Sequence, residues 1–152
     1  MSGKAIRETL AALGVIASMV FVGMEIQQNN KLARGQARQA LAEIHQEWLF
    51  AYSQDAEMYR LFRSRWVDEA ELTEDESGRA TVIMISYLRR LENVYFQHKE
   101  GLVDDSALNA YGIGASLYFG SREFEGFWSE RRATFDPGFA DFFEGRLARS
   151  DG

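Results

Sequence analysis

The chain has no cysteine, one proline and two histidines in 152 residues. Without thiols there are no disulfides, thiolate metal sites, iron–sulfur clusters or cysteine nucleophiles. Two histidines leave almost nothing for a multi-histidine metal centre, and neither a His-Glu-x-x-His nor a Glu-x-x-His sequence occurs. A single proline disfavours a loop-rich β-sandwich or a disordered linker. Also missing are a Gly-x-Gly-x-x-Gly fingerprint, a phosphate-binding loop and a Gly-x-Ser-x-Gly elbow. Gly112-Ile113-Gly114 falls within a stretch of helical pattern and reads as close helix packing. No strand alternation and no fixed-period repeat is present, and no cofactor is implied.

What remains is 46% hydrophobic and 26% charged, which is enough apolar material for one buried core. The net charge of −6 repels a phosphate backbone, so nucleic acid is not an expected partner. Residues 1–30 sum to zero, and the whole negative charge belongs to the rest of the chain.

The dominant feature is TLAALGVIASMVFVGM, sixteen residues from Thr9 without a charge, extended past Glu25 by Ile26. As a helix it rises roughly 24 Å, short for a hydrocarbon core of ~30 Å. Arg7, Glu8 and Glu25 would then reach the headgroups or thin the bilayer. Leu10, Leu13, Ile16, Met19 and Phe21 cover every side, and a helix apolar all round is either buried or in lipid. The reading is a membrane anchor over residues 1–28, followed by a helical domain over 29–152. The alternatives are a soluble helical oligomer with this helix in its seam, and a cleaved signal peptide; Glu8 and the lack of a small-x-small site speak against the latter. Ala11, Gly14 and Ser18 form a small-residue face that lets helix backbones approach, so a homo-oligomer is expected. Lys31, Arg34 and Arg38 follow on one helix face, placed to meet anionic headgroups of membrane lipids. The balance of basic residues around the run is nearly even. The expected placement is a single pass through the inner membrane with the C-terminal domain in the cytoplasm.

The fold class is all-α, a bundle of five to six helices hung on a long N-terminal helix whose first part spans the membrane. Gly35 weakens that helix without ending it, so the spacing of Leu41, Ile44, Trp48 and Tyr52 continues it. A second helix is expected over 56–67, then six acids between Asp68 and Glu76. Those acids lack the spacing and internal glycine of an EF-hand, and Thr73 with Glu76 reads as a capping box. A third helix is expected over 74–100, stopped by Gly101. A fourth is expected over 106–119 after Asp104 or Asp105, and a fifth from Ser121 to about 133. A sixth starts at Asp136-Pro137, where proline suits the first helical position.

Inside the third helix lies the one polar cluster, Arg89, Arg90, Glu92, Asn93 and His98. It reads as a buried polar cluster in which Arg90 pairs with Glu92 or another carboxylate. His45 reads as a surface histidine. A helical ribonuclease of the HEPN type pairs arginine and histidine four to six residues apart; seven residues separate Arg90 from His98, which removes that pair.

The strings LGVIASMVFVGMEIQQNNKLARGQARQ, LRRLENVYFQHKEGLVDD and FWSERRATFDPGFADFF resemble a widespread group of small uncharacterised bacterial proteins. The group shares a short hydrophobic N-terminal helix and a helical domain, and the resemblance covers most of the chain. It implies no activity. A weaker, architectural similarity is to CRISPR-associated membrane proteins with a degenerate HEPN-like domain, which implies an oligomeric pore or a phage-defence accessory. The leading expectation is a non-enzymatic membrane module that self-associates and presents its acidic domain to a protein partner.

Overall fold

In the computed structural model, residues 3–112 and 117–150 are described. They form six α-helices and one 3₁₀ turn, with no strand among the described residues. The helices are α1 (Gly3–Gln54), α2 (Ala56–Trp66), α3 (Glu74–Lys99), α4 (Asp105–Ala110), α5 (Arg122–Arg131) and α6 (Pro137–Ser150). The architecture is the all-α bundle with a long N-terminal helix that the periodicity predicts. The chain divides into two units, Met1–Gln36 and Ala37–Gly152, and α1 passes from one into the other.

Local chemistry accounts for the helix boundaries. Asp55 accepts from the amides of Glu57 and Met58 to start α2. Thr73 and Glu76 make the capping box of α3, with Glu76 accepting from the Thr73 amide at 3.0 Å. Gly101, at φ +70, turns the chain out of α3 in the left-handed conformation that glycine tolerates. Asp136 Oδ1 accepts from the Phe139 amide at 3.0 Å, with Pro137 opening α6.

One helix is shorter than its pattern. α4 ends at Ala110 rather than near 119, because Tyr111 caps it and Gly112 takes φ +78. Ile113 and Gly114, the rest of the glycine pair read as helix packing, lie outside the described residues. Similarly, α5 ends at Arg131 and the chain tightens into the 3₁₀ turn Arg132–Thr134.

The second unit has an aromatic core. Phe62, Trp66, Met84, Leu88, Leu91, Phe139 and Phe143 are fully buried. Phe119 packs edge-on against Phe143 at 4.9 Å, and Trp66 against Phe127 at 5.3 Å. The indoles find acceptors where they are deepest: Trp66 Nε1 donates to Ala80 O at 3.3 Å, and Trp128 Nε1 to Glu144 at 2.9 Å. These rings supply the burial that fixes α3 among its neighbours and so sets the geometry around Arg90.

Candidate functional site

Two features of the chain demand a chemical explanation: the apolar surface of α1 and the surroundings of Arg90.

Along α1 no residue of the apolar stretch is buried. Leu10, Ile16, Met19, Phe21 and Met24 each keep more than half of their surface exposed. Among the described residues α1 is the one helix long and apolar enough to cross a membrane. Ser18 Oγ donates to the Gly14 carbonyl at 2.8 Å, which removes the one side-chain donor on the small-residue face from competition with its surroundings. Ala11, Gly14 and Ser18 floor a shallow groove walled by Val15, Met19 and Val22. A Cβ built on Gly14 meets nothing within 4 Å. Lys31 and Arg34 are exposed. Arg38 is exposed too, but its guanidinium is paired with Asp104 at 2.9 Å.

The polar cluster of α3 resolves into three separate arrangements. The first is a structural clasp. Glu92 is buried, accepting from Arg89 Nη1 at 2.6 Å and from the Asp136 amide at 2.8 Å. Arg89 in turn donates to Thr134 O at 2.7 Å and lies over the Phe135 ring. One carboxylate thereby ties α3 to the start of α6. The second is His98, whose Nε2 meets Asp105 at 2.9 Å beside the cap of α4. Asn93 is half-buried between them in the sequence.

The third is Arg90, and here the expected pairing is corrected. Arg90 is 5% exposed and touches no carboxylate. Its Nη1 donates to His45 Nδ1 at 2.5 Å, its Nη2 makes a long contact, 3.5 Å, to Tyr111 O, and the Tyr87 hydroxyl is a further hydrogen-bond partner. The guanidinium sits 4.7 Å from the Tyr87 ring centre and 5.5 Å from that of Trp48. Burial and the Arg90 charge together hold His45 below the ordinary histidine range, so the imidazole is neutral and free to accept. His45 is half-buried rather than a surface residue, and it meets Tyr111 edge-on at 4.9 Å. Beyond it on α1, Trp48 stacks on Tyr52, and the Tyr52 and Tyr118 hydroxyls meet at 3.1 Å. Burial and that hydrogen bond push the Tyr52 phenol up.

This centre has no general base paired with a nucleophile. Its imidazole is turned to a cation, and among the described residues no Ser or Thr hydroxyl is bonded to it. Among the described residues no group of three His, Asp or Glu side chains is arranged to hold a metal ion. The contact that organises the centre, His45 with Arg90, is separated by 45 residues and belongs to two helices, so no local spacing announces it. Three of the acids at Asp68–Glu76 are engaged by arginines: Asp68 by Arg63 at 3.2 Å, Asp75 by Arg79 at 3.4 Å and Glu76 by Arg60 at 2.5 Å. No family model, curated protein or solved structure matches the chain.

Proposed function

We propose that the protein is a membrane-anchored helical module without a catalytic step of its own. Residues 9–26 hold it in the bilayer by a single pass, and it self-associates along the Ala11, Gly14 and Ser18 face. The inner membrane is the proposed site, with the helical domain in the cytoplasm, where Lys31 and Arg34 meet anionic headgroups. The observation that carries this reading is the exposed apolar surface of α1, ten large side chains from Leu10 to Ile26 that are each more than half exposed. At about 25 cal/mol per Å² of apolar area, leaving such a surface in water costs on the order of 10 kcal/mol. A bilayer removes that cost, and a groove of small residues gives a second copy of the helix its seat.

A pore built from a ring of these helices is a poorer fit. A lumen needs a polar face, and the Ser18 hydroxyl is turned back onto the Gly14 carbonyl. The test is fractionation of expressing cells, with an alkaline wash of the membranes followed by detergent extraction. The chain is expected to resist the wash and to leave the pellet only with detergent. Recovery in the supernatant before detergent would replace the anchor by a soluble oligomer. For topology, a C-terminal fusion to a reporter active only in the periplasm should stay silent.

A further inference from the structure

Between α2 and α3 lies a groove of about 1030 Å³ that none of the preceding features uses. Met58 and Leu61 of α2 and Val82 and Ile83 of α3 line it. Val82 is 66% exposed, on a helix whose opposite side is buried in the core. One turn before it stands Gly78, where an added Cβ meets nothing within 4 Å. The floor is therefore apolar and open in the middle. From Glu74 to Val82 the α3 backbone rises roughly 12 Å, which matches two turns of a second helix laid along it.

The rim has one sign. Asp55 and Glu57 stand at the start of α2, Glu74 and Asp75 at the start of α3, and Arg79 is the only cation in the lining. Arg79 is held by Glu57 at 3.2 Å and by Asp75 at 3.4 Å, so it neutralises part of the rim from inside. Arg60, outside the lining, also binds Glu57 at 2.8 Å, and Arg63 takes up Asp68 at 3.2 Å. The lining still carries four acids against one base, and Glu69 and Glu71 of the adjoining connection add to the same sign of potential.

We propose that this groove docks a basic amphipathic helix from another protein, with apolar side chains over Gly78 and Val82 and Lys or Arg on the acidic rim. The same charges disfavour other occupants. An anionic membrane surface or a nucleic acid is repelled. A second copy of this chain offers the wrong surface, because its exposed apolar stretch, residues 9–26, contains no Lys or Arg and the whole chain is at −6.

The experiment uses the full chain in zwitterionic nanodiscs. The probe is a fluorescein-labelled, hydrocarbon-stapled peptide of about 14 residues, long enough for the two turns the groove spans, with leucines on one face and lysines elsewhere. Its control is the same peptide with glutamate for lysine. Anisotropy is read against empty discs. Saturable binding of the lysine peptide is expected, weakened about tenfold or more by the double reversal Glu74→Lys, Asp75→Lys. Gly78→Met should abolish binding while melting no earlier than the parent, since it fills open space and removes a glycine from a helix. Signal no greater than on empty discs overturns the proposal, as does equal binding of the glutamate peptide. So does binding that both variants leave unchanged. If Gly78→Met instead lowers the mass per assembly without peptide, the groove holds a second copy and the proposal is wrong.

Discussion

A guanidinium surrounded by rings and an imidazole gains less than one facing a carboxylate, and Arg90 stands in that position. Its desolvation is only partly offset by Tyr87, Trp48 and one short bond to His45. Two buried donors, Arg90 Nε and Trp48 Nε1, have no acceptor among the described residues. It follows that a residue of similar volume without the charge is tolerated. Arg90→Met is expected to melt within about 1 kcal/mol of the parent or above it. Arg90→Ala, which empties the space as well, should lose about 2–4 kcal/mol by denaturant titration. Equal losses for both would show that the charge itself holds the centre together. The sequence made Arg90 visible as an oddity but suggested the wrong partner. Glu92, two residues on, goes to Arg89 instead, because positions three apart on a helix share a face while positions two apart do not. His45 carried no signal beyond being one of two histidines.

His45 also gives the molecule a pH dependence of known sign. Its folded pKa lies below 6.5, so between that folded value and 6.5 the unfolded chain binds the extra proton. Stability contributed by the neutral imidazole is therefore complete above about pH 6.5 and falls as the pH drops through that window. A second decline follows at lower pH. Thr73 and Arg60 hold the Glu76 carboxyl at about 2, and arginine neighbours lower Glu57 and Glu144 as well. Their contribution is present above 4.5 and is lost as the pH falls below it. Melting curves at fixed ionic strength should show both declines in the parent chain. In His45→Gln the first should vanish and the second remain; persistence of the first would assign it elsewhere.

At the scale of elements, most of the fold was legible because helix ends are written in short-range chemistry. The Thr73–Glu76 capping box, Gly101, Ser121 and Asp136-Pro137 each act within four residues, and each marks an observed boundary. The end of α4 was misplaced since its stop depends on Gly112 adopting a positive φ, a choice that a glycine permits without requiring. Packing between elements was less legible. Nothing local shows that Glu92 would accept from the Asp136 amide, 44 residues away. Two substitutions separate the two kinds of stabilisation. Thr73→Ala removes an exposed cap and should cost about 1 kcal/mol. Glu92→Ala takes the acceptor from the half-buried Asp136 amide and cuts one of Arg89's two bonds, and about 1–3 kcal/mol is expected. Hydrogen exchange should localise the second loss to the start of α6; a loss spread evenly over the chain would argue against a clasp.

For the molecule as a whole, the question is what covers residues 9–26. The apolar run was the plainest feature of the sequence, yet hydropathy alone does not say whether lipid or protein lies against it. A span of this length is marginal, and association of helices is one way to ease the mismatch. Gly14 is the residue at which association can be tested cleanly. An added Cβ there meets nothing within 4 Å, and leucine raises helix propensity, so α1 itself is expected to keep or gain helix content. The same side chain fills the groove floored by Ala11, Gly14 and Ser18, so a second helix can no longer approach closely. Light scattering in mild detergent should therefore report a smaller protein mass per assembly for Gly14→Leu, with unchanged far-ultraviolet circular dichroism. An unchanged mass would move the seam to the second unit. The deep aromatics there do not offer it, because Trp128 is 8% exposed and Phe143 fully buried. Phe50, 64% exposed on α1, with Tyr59, 46% exposed on α2, is then the surface to test outside the α2–α3 groove, and Phe50→Ser the substitution expected to lower the mass.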